Sequence, residues 1–285
     1  MTTITLLGAG GKMGGRIIDH LLPDPAFRLC AVEVSPNGLQ NLANRGVQPW
    51  DRSVALAVAD VAILALPDRV LGQVAREIVP QLKPQTLVMT LDPAAAYAGE
   101  LPARRDISYF VTHPCHPSVF DYEEDAAARR DFFGGTRARM PIVCALMQGP
   151  EEHYALGEQL ARKFFAPVTR SHRITVEQMA MLEPAMAETT AACLITVIRE
   201  ALDEVIRRGV PPEAARDFLY GHIKVPLGIA FEQVDFPFSD GARLIIEYGR
   251  QHLLRPDWKK VFEPADVKAQ VEAIVSGVLP RVPTA

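Results

Sequence analysis

The chain begins with an apolar strand, a glycine-rich turn and an amphipathic helix, and this order constrains its fold more than any other feature. The strand ends in Ile-Thr-Leu-Leu, the turn reads Gly-Ala-Gly-Gly-Lys-Met-Gly, and the helix continues through Arg-Ile-Ile-Asp-His-Leu-Leu. Free backbone N–H groups and the helix dipole attract an anion to such a helix N-terminus. Glycines there let a pyrophosphate approach the backbone closely. With a strand before it and a helix after it, the turn predicts a dinucleotide-binding site.

Two glycine spacings fit this turn equally well. Gly8 and Gly10 begin a G-x-G pattern whose sixth position is Met13, whereas Gly8, Gly11 and Gly14 recur at every third residue. The sequence leaves open which glycine makes which contact. The predicted cofactor contacts therefore cover the whole turn: Gly8, Gly10, Gly11, Lys12, Met13 and Gly14.

An acid ends the second predicted strand, residues 28–34. This acid, Glu33, follows Gly14 by nineteen residues. An acid at this position accepts hydrogen bonds from the adenosine ribose and repels a 2′-phosphate, which favours NAD over NADP. The alternative is a solvated acid at a strand end, and the nearby Ser35 and Arg45 leave NADP open.

Further apolar runs alternate with helical patterns as far as residue 170, which predicts a doubly wound α/β Rossmann domain over residues 1–172. Residues 60–67 are nearly continuously apolar, as expected of a parallel strand that is buried on both faces. Ligands bind at the carboxyl ends of such strands, so Leu66, Pro67 and Asp68 are predicted to lie beside the cofactor. Asp92 ends the next strand, where a helix-capping role and a role towards a ligand are equally open.

The strand at 107–112 leads into the segment Thr-His-Pro-Cys-His-Pro. The prolines stiffen this loop and so restrict where the imidazoles of His113 and His116 point. Histidine supplies a proton donor near neutral pH or a neutral metal ligand. Both residues are therefore candidate catalytic groups, with His113 preferred because it is nearer the strand end. The alternative is a rigid turn whose histidines bond to the backbone.

After residue 172 the pattern becomes helical, which predicts an all-helical substrate and dimerisation domain over residues 173–285. The first helix, 175–208, is expected to kink near Pro184. Further helices are expected at about 213–234, 240–253 and 264–278.

Two carboxylates of this half lie in an otherwise nearly uncharged segment of the first helix. Glu183 and Glu188 are five residues apart, which puts them on different faces of an α-helix, and Glu188 is preferred because Pro184 distorts the turn at Glu183. His222 lies at helical spacing on an apolar face, where a satisfied core histidine is the ordinary interpretation. Together, His113, Glu188 and His222 would suit a catalytic divalent cation such as Zn²⁺ or Mg²⁺.

Composition and charge exclude several classes of protein. The formal net charge of −4, without a basic block, argues against a nucleic-acid partner. We expect no membrane span, since no apolar run approaches about 20 residues, and the N-terminus shows no signal peptide. The four scattered cysteines, with no C-x-x-C pair, are expected to be reduced thiols in the cytoplasm.

The turn, Glu33, the Leu-Pro-Asp exit and the helical second half together resemble the 6-phosphogluconate dehydrogenase-like, or β-hydroxyacid dehydrogenase, superfamily. That resemblance implies a Rossmann domain followed by a helical domain that completes the active site and often dimerises. The superfamily's core uses a lysine in a Lys-x-x-Asn-Asn-like segment at the start of the long helix. Here the segment reads Glu177-Gln-Met-Ala-Met-Leu-Glu-Pro, without lysine, which argues against simple decarboxylating chemistry.

A closer resemblance, over essentially the whole chain, is to the D-apionate oxidoisomerase family. It is carried by four segments: residues 112–117, 144–154, 173–188 and 255–264. The resemblance implies NAD-dependent oxidation of the 2-hydroxyl of a branched sugar acid, coupled to a carbon shift that gives 3-oxo-isoapionate. Both steps build negative charge on oxygen, which a divalent cation would stabilise, and a nearby histidine or glutamate would serve as the base.

Two other functions remain open at this point. One is a metal-free β-hydroxyacid dehydrogenase of another small hydroxy acid, with His113 or His116 as general base. The other is a nicotinamide-binding sensor or scaffold without turnover. The oxidoisomerase and the dehydrogenase both imply a small-molecule substrate, and for both we expect a homodimer.

Overall fold

The computed structural model describes residues 1–279, and within them the chain forms two compact units. The first unit contains Met1–Glu183 and the segment that begins at Lys268, and the second contains Pro184–Val267. The last six residues of the helical domain expected from the sequence, 280–285, lie outside the described residues.

The first unit is built on one seven-stranded sheet, in the order β2-β1-β3-β4-β5-β6-β7. Neighbouring strands run parallel except for β5 and β6, which are antiparallel. The strands are β1 (Thr2–Leu7), β2 (Phe27–Val32), β3 (Val61–Leu64), β4 (Leu87–Thr90), β5 (Ser108–Pro114), β6 (Met140–Gln148) and β7 (Val168–Arg173).

Helices cover both faces of this sheet, so that its central strands are buried on both sides, as continuous apolar runs require. The helices of this part of the chain are α1 (Lys12–Leu21), α2 (Pro36–Asn44), α3 (Arg52–Val58), α4 (Asp68–Ile78), α5 (Ala94–Tyr97), α6 (Glu151–Phe164) and α7 (Val176–Ala180). One buried cluster joins β3 and β4 to α3 and α4, and another joins β1 and β5 to α1 and α6. The doubly wound α/β fold expected from the sequence is confirmed.

The connection between β5 and β6 departs from strict strand–helix alternation. Residues 115–139 form an irregular excursion whose only regular element is a 3₁₀ turn at Ala128–Arg130. Because β5 and β6 are antiparallel, no crossover helix is needed between them, and the segment that connects them can serve a purpose other than the connection.

The long helix that leaves the first unit is not uniformly wound. It continues from α7 through a π-helix at Met181–Ala192 into α8 (Cys193–Arg207). Pro184 lies inside the π-helix, where it supplies no backbone N–H, and the Thr190 hydroxyl donates to the Ala185 carbonyl at 2.7 Å. A stretch of wider winding thus lies at Pro184, where the sequence predicts a kink.

The second unit is helical and buries very little of itself. After α8 come α9 (Pro212–Ala230) and α10 (Asp240–Leu253), and a 3₁₀ turn at Trp258–Phe262 precedes α11 (Pro264–Ser276). Helix α10 has no buried residue, and α8 and α9 bury one each, Leu202 and Ala215. An ordinary globular helix buries a continuous apolar stripe, which these helices do not.

One helix, Val176–Arg207, is long and apolar enough to cross a membrane by length and composition, with a mean hydropathy of 1.3. Only 11% of its most apolar stretch is buried in the single chain. No membrane span was predicted from the sequence. One such helix is weak evidence for a membrane, because the core helix of a soluble protein passes the same test of length and composition.

Candidate active site

The predicted site residues of the first unit gather at one edge of the sheet, where the parallel strands end. Gly8 follows β1, Glu33 follows β2, Leu66 follows β3 and Asp92 follows β4, while His113 lies at the end of β5. Carboxyl ends of parallel strands are where open α/β sheets bind ligands.

The glycine turn shows which glycines its geometry requires. Gly8 has a φ of +75°, and a Cβ there would stand 2.2 Å from the Ala65 carbonyl oxygen. A Cβ on Gly10 would lie 2.2 Å from Gly38 O, and one on Gly14 would lie 2.2 Å from Gly8 O. At Gly11 the nearest atom is 3.3 Å away. The impossible approaches therefore occur at positions 8, 10 and 14, whereas at Gly11 the neighbouring carbonyl would have to shift by only a few tenths of an ångström.

Glu33 faces this turn. One of its carboxylate oxygens accepts the Gly10 N–H at 2.9 Å, and the other accepts the N–H groups of Val34 and Ser35 and the Ser35 hydroxyl at 2.8–3.0 Å. Partial burial raises the pKa of Glu33, but these four hydrogen bonds outweigh it and hold the pKa below the ordinary glutamate value. Glu33 is thus a fixed carboxylate at neutral pH beside the second glycine.

Ser35 and Arg45, which in the sequence left NADP open as the cofactor, have other partners in the structure. The Ser35 hydroxyl also accepts the Gly38 N–H and so caps α2. The Arg45 guanidinium pairs with Asp19, with Nε 3.2 Å from Oδ1. Neither group is arranged as an open anion site.

Leu66, Pro67 and Asp68 lie between the end of β3 and the first turn of α4. Leu66 is partly buried against the core, and Pro67 forms the N-cap of α4, which places Asp68 in the first turn of that helix. This puts backbone and a carboxylate at the same edge as the glycine turn.

His113 is held from one side by the backbone. Its Nδ1 lies 2.9 Å from the Leu91 carbonyl oxygen, which can only accept, so Nδ1 carries the proton of the neutral ring. The Nε2 lone pair then points towards two carboxylates. Burial lowers the pKa of His113 and nearby His116 lowers it further, while Asp92 and the Leu91 carbonyl oppose the shift. A neutral imidazole with an available Nε2 is a proton acceptor or a metal ligand.

Those two carboxylates belong to Asp92 and Glu183. Glu183 Oε1 lies 3.4 Å from His113 Nε2, and one ligand atom each of Asp92, His113 and Glu183 lies within 4.8 Å of the others. All three side chains are partly buried. Asp92 is fixed by the Ala94 N–H, which donates to its Oδ1 at 2.7 Å. One nitrogen and two oxygens at this spacing suit a divalent cation that retains open positions.

The acid beside His113 is therefore Glu183, whereas the sequence analysis preferred Glu188. That preference rested on Pro184, which is expected to distort an α-helical turn at Glu183; the backbone there instead continues as a π-helix, and Glu183 meets His113. In a π-helix the backbone bonds run from residue i to i+5, so the α-helical period that put the two acids on different faces does not hold there. Glu188 is exposed and belongs to the second unit.

His222 lies in the second unit, on α9, and its side chain is exposed. Its Nδ1 is 2.8 Å from the Phe218 carbonyl oxygen, and its ring stacks on the Phe218 ring with centroids 3.9 Å apart. The metal role suggested for Glu188 and His222 stays a prediction.

His116 adopts a backbone conformation that is rare for its residue type, with a φ of +61°. Its Nδ1 lies 2.9 Å from the Phe133 carbonyl oxygen, and its ring meets the His113 ring edge-on at a centroid distance of 6.1 Å. Strained conformations persist where the surroundings fix them, and they cluster at functional sites.

Sequence reasoning left Asp92 open and placed Glu183 second. Asp92 had one usable signal, its position directly after β4 on the edge that carries the other site residues. Glu183 had one signal as well, its position in a nearly uncharged helical segment, but it shares that signal with Glu188.

Known protein families match this chain over most of its length. Residues 121–275 match the family described as the C-terminal domain of phosphogluconate dehydrogenase (decarboxylating). The D-apionate oxidoisomerase of Rhizobium rhizogenes is 52% identical over 277 residues, covering 96% of this chain and 100% of that relative. That of Cupriavidus necator is 49% identical, covering 95% and 98%.

Solved structures agree with this assignment. A semialdehyde dehydrogenase NAD-binding protein from Cupriavidus necator, in complex with calcium and NAD, has a TM-score of 0.93 at 49% identity and covers 96% of this chain and 99% of that one. An NADH-preferring ketol-acid reductoisomerase from an uncultured archaeon, at 18% identity and a TM-score of 0.65, shares the fold. It covers 97% of this chain and 82% of its own. The chain therefore belongs to the D-apionate oxidoisomerase family, within the 6-phosphogluconate dehydrogenase-like superfamily.

Proposed function

We propose that this protein is an NAD-dependent oxidoisomerase that oxidises the 2-hydroxyl of D-apionate and shifts a hydroxymethyl group, giving 3-oxo-isoapionate. Relatives named for this substrate, 52% and 49% identical over nearly the whole chain, support the assignment. The observation that carries it is the His113 cluster, which stands on the same sheet edge as the glycine turn.

The cofactor assignment follows from Glu33. A carboxylate fixed at the end of β2 receives ribose hydroxyls and repels a 2′-phosphate, so NAD is favoured. The solved relative that contains NAD supports the same choice. Gly8, Gly10 and Gly14 let the pyrophosphate approach the backbone at the N-terminus of α1.

The reaction places negative charge on oxygen twice. The hydride leaves C2 for NAD and the 2-hydroxyl loses its proton, which gives a 2-oxo acid beside a tertiary alcohol. Deprotonation of that alcohol lets its hydroxymethyl group migrate with its bonding electrons to the new carbonyl carbon, whose oxygen takes up a proton. The atoms balance with one hydride to NAD and one proton released.

A divalent cation fits the donor set of the first unit. Asp92, His113 and Glu183 would hold it, and it would supply charge stabilisation to the substrate oxygens. The relative solved with calcium supports a cation in this family. Zn²⁺ and Mg²⁺ are the other candidates: the imidazole of His113 suits Zn²⁺, whereas the two carboxylates suit Ca²⁺ and Mg²⁺.

The two histidines of the site have different roles in the proposed reaction. With His113 Nδ1 committed to the Leu91 carbonyl, its Nε2 is fixed towards Asp92 and Glu183. His116 is the proton acceptor, since its Nδ1 is held by the Phe133 carbonyl and its ring lies edge-on to that of His113.

The protein is further proposed to act as a homodimer, in which a second copy covers the helical unit. Large apolar side chains on α8, α9 and α10 are exposed by more than half, among them Ile195 at 65%, Phe218 at 68%, Leu244 at 71%, Ile245 at 64% and Tyr248 at 59%. Apolar surface on this scale marks an interface. Several helices present this apolar surface together. A second chain therefore explains the surface better than a bilayer around the one long helix does.

We place the enzyme in the cytoplasm. Its four cysteines are all free, with Cys30 and Cys144 buried and Cys115 and Cys193 exposed. Exposed free thiols suit a reducing compartment. Fractionation of cells that produce the tagged protein tests this placement, and recovery with the membranes would contradict it.

The decisive experiment is product analysis. Purified protein with D-apionate and NAD should form NADH and one equivalent of 3-oxo-isoapionate, identified by NMR. Oxidation without a carbon shift would establish the simple dehydrogenase instead, and NAD binding without turnover on any sugar acid would indicate a sensor. Nucleic acid should have no effect.

A further inference from the structure

The excursion between β5 and β6 contacts α1 directly beyond the glycine turn. The Lys12 ammonium stands over the Phe133 ring, 3.8 Å from its centroid. Lys12 is the first residue of α1, so its charge sits where a pyrophosphate binds. Phe133 belongs to the excursion and is 60% exposed.

The same residue contacts His116. The Phe133 carbonyl lies 2.9 Å from His116 Nδ1, and the two rings meet edge-on with centroids 5.8 Å apart. Phe133 therefore touches a cofactor-turn residue through its ring and the proposed proton acceptor through both its ring and its backbone.

The turn that carries Phe133 is rigidly held. Asp131 Oδ2 accepts the backbone N–H groups of Thr136, Arg137 and Ala138 at 2.9–3.1 Å. Beside it, Gly135 packs so closely on the Arg16 guanidinium of α1 that a Cβ would stand 0.9 Å from it. The ring is thus presented to Lys12 by a closed turn that is anchored on α1.

We infer that Phe133 is a positioning residue that couples the occupied cofactor turn to His116. Its ring fixes the Lys12 ammonium, and its backbone carbonyl fixes His116 in the left-handed conformation. The inference rests on the proposed NAD-dependent function. Loss of the ring frees Lys12 and loosens the Phe133 carbonyl, so NAD affinity and turnover both fall.

The test uses Phe133→Leu in the full-length enzyme, with Phe132→Leu as the matched control. Phe132 is the neighbouring residue, 81% exposed, and no ring or cation contact is recorded for it among residues 1–279. Phe133→Leu should raise the NAD dissociation constant about threefold, the effect expected of one exposed cation–π contact. It should also lower kcat by more than it alters KM for the sugar acid. Phe133→Tyr keeps the ring and should restore both, and Phe132→Leu should leave both unchanged.

Two double-mutant cycles distinguish coupling through Phe133 from a general loss of folding or activity. In a Lys12→Met background, Phe133→Leu should no longer weaken NAD binding. In a His116→Ala background, it should no longer lower kcat. Equal effects of Phe133→Leu in every background, or equal effects of Phe132→Leu, would overturn the inference. A wild-type enzyme that forms no NADH from sugar acids would instead overturn the proposed function.

Discussion

The Nε2 atom of His113 lies 3.4 Å from a carboxylate oxygen of Glu183, and this contact joins the end of β5 to the first turn of the π-helix. Asp92 completes the cluster from the end of β4.

Glu183→Gln should lower kcat by about 100-fold or more, because it removes one charge from the proposed cation site and leaves the side-chain shape. Steady-state kinetics with D-apionate measures this, with circular dichroism to verify folding. Glu188→Gln is the comparison that decides between the acids: a larger loss for Glu188→Gln would return the role to the residue that the sequence favoured.

Removal of divalent cations should abolish turnover and leave NAD binding intact, since the glycine turn and Glu33 contain none of the cluster residues. Dialysis against a chelator, followed by titration with Ca²⁺, Mg²⁺ and Zn²⁺ separately, measures this. His113→Ala should remove the response to added cation. Full turnover in the chelated enzyme would contradict the cation proposal.

Gly14→Ala should be much more damaging than Gly11→Ala. A Cβ at Gly14 would stand 2.2 Å from a backbone carbonyl oxygen that cannot move without opening the turn, whereas at Gly11 the approach is 3.3 Å. We expect Gly14→Ala to weaken NAD binding at least about tenfold and to destabilise the first unit by about 2 kcal/mol. Calorimetric titration and thermal unfolding test this, and equal effects of the two variants would refute the geometric assignment.

Glu33→Gln should reduce the discrimination against NADP by about tenfold, because it removes the charge that faces a 2′-phosphate and keeps a hydrogen-bonding side chain. The ratio of kcat/KM for NAD to that for NADP is the measurement. An unchanged ratio would assign the selectivity to another group.

Asp60 gives the first unit a stability that depends on pH. Burial raises the pKa of Asp60, but the Lys83 ammonium at 2.5 Å and the Thr3 N–H at 2.8 Å together hold it below the ordinary aspartate value. A lowered folded-state pKa contributes stability above the ordinary pKa of about 3.9, and that stability is lost as pH falls through the folded value. Asp60→Asn should destabilise at pH 7 by no more than about 1 kcal/mol, since both partners are part-exposed. The difference in melting temperature from the wild type should shrink below pH 4; a difference that persisted there would contradict the electrostatic origin.

The sequence predicted the parts of this molecule that local patterns determine. Continuous apolar runs predicted the strands of the sheet, and the position of Glu33 after its strand predicted the carboxylate beside the glycine turn. The sequence favoured Glu188 over Glu183 because a proline distorts an α-helical turn, whereas the backbone around Pro184 is wound as a π-helix and Glu183 meets His113. It also did not predict the contact between Lys12 and Phe133, which lie more than a hundred positions apart in the chain.

The scarcity of buried side chains on α8, α9 and α10 has a consequence for how the enzyme behaves on dilution. If a second chain supplies the missing core, folding of these helices is linked to association, and their stability rises with protomer concentration by mass action. The melting temperature should then climb as the protein is concentrated, and newly made chains should be most open to proteolysis before they meet a partner. The amount of active enzyme in a cell would accordingly grow more steeply than the amount of chain synthesised.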